Sequence, residues 1–278
     1  MDRIVELNGN HVSVYSYGQG PVTFVLLSGS GVPFPSLEYK SLAKALATFS
    51  QVIGIEKLGY GHSDLVKDNR GIDDAVKDYR GVLERLGIGT PVVLAAHSMG
   101  FLEALRWCQL YPAEIAGILG IDPATPECYK DFDIEGAVKK LIEMSDDEEL
   151  RQNTAGALTD QLAGEHGFSS DEKKKLFTLA YRNMANPVWI SEAENLRNTI
   201  LLVEKNNPYP QIPMLFCLSN GEGTTLDQDI WRSHALQYLN NIHTNEYKFF
   251  DYPHNLYKYV YKEMAFAAEI WIKNAGVL

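Results

Sequence analysis

The chain is poor in cysteine: Cys108, Cys128 and Cys217 are the only three in 278 residues, and no two stand at C-x-x-C spacing. That leaves no disulfide framework and no thiolate metal site, and it fits reduced thiols in a cytoplasmic protein. There is no H-E-x-x-H sequence and no G-x-G-x-x-G fingerprint, so neither a metal nor an organic cofactor is expected. Positive charge is also scarce, with 25 Lys and Arg against 36 Asp and Glu and a net charge of −11. Nucleic acid and anionic membranes both require a positive face, so neither is expected as a partner. No apolar run approaches the roughly 18 residues of a membrane span. The start, MDRIVELNGNHVSV, lacks the basic start and apolar core expected of a signal peptide.

What is present is ordinary globular material, 45% hydrophobic and 22% charged, enough for a sizeable core without covalent staples. Short apolar strands are expected at Ile4–Leu7, His11–Tyr17 and Val22–Leu27, with turn signals at Asn8-Gly9-Asn10 and Gly18-Gln19-Gly20. A helix over Leu37–Phe49, a strand Gln51–Ile55 and a helix Ile72–Leu86 follow. Val92–Ala96 and Ile115–Ile121 are continuous apolar runs, as buried parallel strands should be, and Met99–Leu110 between them is helical. This alternation implies an α/β fold, a mostly parallel sheet with helices on both faces. The rhythm lapses over 125–205, which looks helical and more polar apart from a candidate strand at Thr199–Val203. Ser145-x-x-Glu148 and Ser169-x-x-Glu172 have the form of capping boxes opening helices. It resumes with strand Met214–Leu218, a helix from about Asp229 to Leu239, strand Glu246–Phe250 and a final helix Val260–Asn274. The expected organisation is a core of 1–124 and 206–278 interrupted by a helical insertion, 125–205.

At the junction of the strand Val92–Ala96 with the following helix lies Ala96-His97-Ser98-Met99-Gly100. A sharp strand-to-helix turn forces its central residue into a strained conformation with the side chain projecting, and demands small residues two before and two after. Ala96 and Gly100 meet that demand, so Ser98 reads as a nucleophile at an elbow of the G-x-S-x-G type. A purely structural alternative is an N-cap serine. His97 is not the base expected for Ser98, because side chains of adjacent residues in such a turn point apart.

From these residues the chain resembles the α/β-hydrolase superfamily, in its serine-nucleophile branch with a cap. Four motifs in order carry the resemblance. "LLSGSG" (26–31) looks like the oxyanion loop, with Ser28 where histidine is common. "EKLGYGHSD" (56–64) is similar to the Asp-x-x-Gly-x-Gly-x-Ser loop, with Glu56 for Asp. "AAHSMG" is the elbow, and "YPHNLY" (252–257) resembles the late histidine segment. The resemblance implies that 125–205 caps the active site.

His254 follows the last expected strand, at the sheet edge where Ser98 also emerges, and an imidazole there can take the serine proton and return it to a leaving group. The acid belongs between Ser98 and His254 in the chain order of such enzymes. Glu222 in "SNGEG", after the strand Met214–Leu218, is the leading choice, with Asp227, Asp122 and Glu127 as rivals. The Met99 N–H, at the positive end of its helix, and by resemblance the Ser30 N–H are the expected oxyanion donors.

These residues point to a serine hydrolase acting through an acyl-enzyme on a small or medium carboxylic ester, or else a thioester or amide. The partner is then a small-molecule acyl substrate; oligomeric state is left open. Ser98 in place of aspartate argues against dehalogenase and epoxide-hydrolase branches, and Phe101 after Gly100 disfavours a peptidase of the prolyl iminopeptidase kind. Two alternatives stand beside this reading: a small-molecule receptor on a hydrolase scaffold with little turnover, and a C–C bond hydrolase.

Overall fold

In the computed structural model, which describes residues 2–66 and 70–277, the chain opens with a hairpin of β1 (Asp2–Leu7) and β2 (Asn10–Tyr17). Asn8 and Gly9 both take positive φ (53° and 80°) in the two-residue turn, the geometry that matches the strands' twist. Six further strands follow: β3 (Thr23–Leu27), β4 (Gln51–Glu56), β5 (Val92–His97), β6 (Ile115–Ile121), β7 (Met214–Leu218) and β8 (Asn245–Phe249). They form one open sheet in the order β1-β2-β4-β3-β5-β6-β7-β8, antiparallel at β1-β2 and β2-β4 and parallel from β4 onward. The chain thus has an α/β fold with a mostly parallel sheet. β5 and β7 are buried along their whole length, because helices cover both faces of a parallel sheet.

On one face lie α3 (Ile72–Leu86), α4 (Gly100–Leu110) and α9 (Gln228–Leu239), which contribute Tyr79, Phe101, Trp107 and Tyr238 to one apolar cluster. On the other, α2 (Lys40–Leu46) and α10 (Tyr261–Asn274) contribute Leu42, Leu46, Met264 and Trp271 to a second. The helix expected over Leu37–Phe49 is broken: α1 (Pro35–Glu38) ends at Tyr39, whose side chain is buried, and α2 starts anew.

Between β6 and β7 lie four helices, α5 (Ile134–Asp146), α6 (Glu148–His166), α7 (Ser170–Asn183) and α8 (Pro187–Lys205). They pack around a third cluster that includes Tyr60, Ala155, Leu162, Ala180 and Trp189. Ser169 caps α7 with Glu172 closing the box, as its spacing implies. Two expectations fail here. Thr199–Val203 is not a strand but the last turns of α8, which starts at Pro187 under an Asn186 cap and meets no glycine or proline that would stop it. Ser145 caps nothing: α5 runs past it to Asp146, and the Asp147 carboxylate caps α6 by accepting from Leu150 N at 2.9 Å. Among the described residues no helix is long and apolar enough to cross a membrane.

Candidate active site

Ser98 follows β5 with φ of 50°, a left-handed conformation that costs a non-glycine residue about 1–3 kcal/mol and persists only where its surroundings enforce it. Here they do. Ser98 N donates to Ile121 O at 3.3 Å, while Ser98 O accepts from Phe101 N (3.0 Å) and Ala124 N (3.1 Å). Gly100 is obligatory: a Cβ there would lie 2.8 Å from Ser28 O and 3.0 Å from Leu27 O. Ala96, where the usual motif has glycine, is fully buried.

His254 lies beyond β8, in the loop before α10. Its Nδ1 is 2.5 Å from Asp122 Oδ2. Asp122 is completely buried at the end of β6, again in left-handed backbone (φ 44°), a region aspartate visits more readily than most residues. Its second oxygen, Oδ1, accepts from Ser219 N (2.7 Å) and from the Trp231 indole (2.9 Å). A buried carboxylate with both oxygens satisfied is fixed in place. Bonding Nδ1 to it leaves Nε2 as the ring nitrogen able to accept the serine proton. Among the described residues no hydrogen bond joins Ser98 Oγ to His254, a contact that commonly tightens only when substrate is bound.

The expected pairing of Glu222 with His254 is therefore not formed. Glu222 is exposed; what it offers the histidine is its backbone carbonyl, which accepts from His254 N at 2.7 Å. The physical reason is the direction of the turn, which aims the peptide inward and the carboxylate toward solvent. Asp227, a rival, caps α9 by accepting from Asp229 N. Glu127 is buried and takes the Tyr209 hydroxyl at 2.9 Å.

His97 lies against the loop after β3, beside Gly29. It is buried, and its Nδ1 is 2.9 Å from the Tyr39 hydroxyl. Burial, aided by His254 at 4.8 Å between ring centroids, holds its pKa well below the usual imidazole value. It thus stays neutral beside His254, and adds no charge opposing an imidazolium there.

Ser98, His254, Ser30 and Met99 line one cavity of ≈ 290 Å³. Among the described residues neither the Ser30 nor the Met99 amide has a hydrogen-bond partner. Both residues line the same cavity as Ser98. Gly29 must lack a side chain, since a Cβ would stand 2.7 Å from His97 Nδ1 and 3.0 Å from Ser98 Cβ. The remaining wall is mainly aromatic and aliphatic, with Tyr129, Phe132, Leu141, Leu196 and Trp231 prominent; Thr224, Thr225 and Cys128 also line it, and among the described residues it includes no Asp, Glu, Lys or Arg. Phe132 precedes α5, Leu141 lies within it, and Leu196 is on α8.

Tyr39, Trp231 and Ser219, which fix His97 and Asp122, were not visible from sequence. A tyrosine inside an expected helix and a tryptophan four residues after a capping aspartate carry no signature of such roles.

Residues 25–144 match the family model described as serine aminopeptidase, S33. Over 133 residues the chain is 34% identical to the uncharacterized protein YbdG of Bacillus subtilis (strain 168), a stretch covering 48% of this chain and 41% of that protein. The chain thus matches less than half the length of this relative. Among solved structures it is similar to bromoperoxidase from Bacillus anthracis (18% identity, 98% of this chain and 100% of that one, TM-score 0.69). It is also similar to a mutant of haloalkane dehalogenase DatA from Agrobacterium tumefaciens (15% identity, 98% and 96%, TM-score 0.74).

Proposed function

We propose that the chain is a serine hydrolase of the α/β-hydrolase superfamily, cleaving a small or medium, uncharged carboxylic ester through an acyl-enzyme; the match of residues 25–144 to the family model and the fold shared with the solved structures support that reading. The observation that carries the reading is the 2.5 Å pairing of His254 with buried Asp122 at the cavity into which Ser98 opens. In this reading Ser98 Oγ attacks the carbonyl carbon as its proton passes to His254 Nε2. Asp122 holds the imidazole in one tautomer and stabilises the imidazolium. The charge that develops on the carbonyl oxygen is met by the Ser30 and Met99 N–H groups. Collapse expels the alcohol with the proton from His254, and water, deprotonated by the same imidazole, then frees the acid. Residues 125–205 act as a cap over a core of 1–124 and 206–278, and α5 and α8 supply part of the acyl pocket.

An aminopeptidase must hold a terminal ammonium, and a carboxylate in the pocket is the usual means. The uncharged wall favours an ester over an amino-terminal peptide, and it equally suits the small apolar acyl groups of a thioester. The test compares p-nitrophenyl butyrate with leucine p-nitroanilide on the same preparation. The ester should turn over with a burst of nitrophenol, and Ser98→Ala should lose that activity by roughly 10⁴-fold or more. Turnover of the anilide but not the ester would contradict the assignment.

A further inference from the structure

The amides on either side of the Ser30 donor are each held by a buried tyrosine. Gly29 N donates to Tyr39 Oη at 3.3 Å, and Gly31 N to Tyr60 Oη at 3.4 Å. Tyr39 is anchored inside the core, where its hydroxyl meets His97 Nδ1. Tyr60 is anchored differently. Its hydroxyl donates a hydrogen bond to Glu192 Oε2 on α8 at 2.5 Å, and Glu192 Oε1 binds Lys57 Nζ at 2.8 Å. Lys57 also binds Glu103 Oε1 at 2.7 Å, on the helix that begins at the elbow, and Glu103 Oε2 takes the Tyr79 hydroxyl at 2.5 Å.

We propose that Tyr60 and Glu192 are positioning residues for the Ser30 oxyanion donor, so that the anion site is complete only while α8 is docked. The inference rests on the serine-hydrolase reading given above. The physical argument is one of acceptor strength and of cost. A hydroxyl that donates to a carboxylate becomes a better acceptor, and Gly31 N–H is the group it accepts from. Burial, with Glu192 alongside, pushes the Tyr60 hydroxyl well above its ordinary pKa, so it remains a donor at any working pH. Lys57 and Glu103 are almost wholly buried, and charges so placed add little net stability because desolvation offsets their attraction. Docking does not need them. Asn186 Nδ2 already binds Gly59 O, Asn183 Nδ2 binds Pro33 O and Gly61 O, and Arg182 binds Gly61 O and Ser63 O. What the Glu192–Tyr60 link adds is a connection from α8 to the loop that carries Ser30.

Tyr60→Phe removes one hydroxyl, and Glu192→Ala leaves Lys57 still paired with Glu103, so both variants should fold; thermal melting checks this. Kinetics use p-nitrophenyl butyrate. The second readout is phenyl trifluoromethyl ketone, whose carbonyl carbon is attacked by Ser98 to give a hemiketal; the pH at which that hydroxyl ionises, followed by ¹⁹F chemical shift, reports oxyanion stabilisation. Both variants should lose about tenfold in kcat with little change in KM, less than the ~10²–10³ lost with a whole donor. The hemiketal ionisation should rise by about one pH unit, the equivalent of tenfold. Glu192→Gln, whose amide oxygen still accepts from Tyr60, should recover most of both effects. Unmoved ionisation in both variants, with the wild-type adduct formed normally, would overturn the inference alone. A wild-type protein that forms no adduct at Ser98 would overturn the hydrolase reading with it.

Discussion

Asp122 and Glu222 both follow core strands, in turns near His254, and burial separates them. The Asp122 carboxylate is enclosed, with three donors on its two oxygens, whereas that of Glu222 is exposed. Asp122→Asn should therefore lower kcat by roughly 10²–10⁴ with the fold retained, since the amide favours the wrong imidazole tautomer. Glu222→Gln should leave kcat within about twofold on the same scale of effects. Steady-state kinetics on one ester, with circular dichroism for each variant, decides; a large loss in Glu222→Gln alone would return the acid to Glu222. The ambiguity was built into the sequence. Asp122-Pro123 and "SNGEG" are both strand-end turns, and nothing in either shows which way a carboxylate points. Ser98 was legible because the small residues at 96 and 100 encode a steric requirement, and His254 because it closes the last β–α connection.

His97 makes a separate forecast at the same scale. Its folded pKa lies well below the unfolded value, so the unfolded chain binds a proton that the folded chain refuses. The resulting stability is whole above the unfolded imidazole pKa of about 6.5 and is lost as pH falls below it, at up to about 1.4 kcal/mol per pH unit. Denaturant unfolding at pH 7 and pH 5 should show that loss in the wild type, and His97→Gln should shrink the difference between the two pH values. Equal pH dependence in both proteins would mean that His97 is not kept neutral by burial.

Among the described residues α5 is the one α-helix with no buried residue of its own, yet its Ala137 and Leu141 line the cavity. α8 is instead stitched to the 59–63 loop through Asn186 and Glu192. The cavity thus has one wall tied to the 59–63 loop and one wall of residues that are not fully buried. Leu141→Ala should lower KM for long acyl esters relative to short ones by severalfold, since each accommodated methylene contributes about 0.8 kcal/mol. A p-nitrophenyl ester series from acetate to decanoate measures it, and an unchanged chain-length profile would remove α5 from the pocket. The sheet strands were legible because a fully buried strand is a short apolar run between turn signals. Thr199–Val203 had that look without the turns: no glycine or proline separates it from the helix before it, and Leu201 is exposed while Val203 is buried. The break at Tyr39 was invisible for a related reason, since the packing that pulls its ring inward is tertiary.

For the molecule as a whole, parallel β5 and β6 deliver Ser98 and Asp122 to the same edge of the sheet, and the loop after β8 brings His254 across to them. The architecture and that edge were readable from the β–α alternation. The lining of the cavity was not, because it depends on how α5 and α8 return over the sheet. The net charge of −11 and the uncharged pocket are independent facts: the first concerns the surface, the second what can be held beside Ser98. The central claim is that Ser98 is a hydroxyl activated by His254. Its most direct measurement is reaction with a fluorophosphonate probe, followed by intact mass and peptide mapping. One probe should attach per chain, on the peptide containing Ser98, and Ser98→Ala should remain unlabelled. A wild-type protein left unmodified, or a Ser98→Ala protein that still takes the label, would contradict the account.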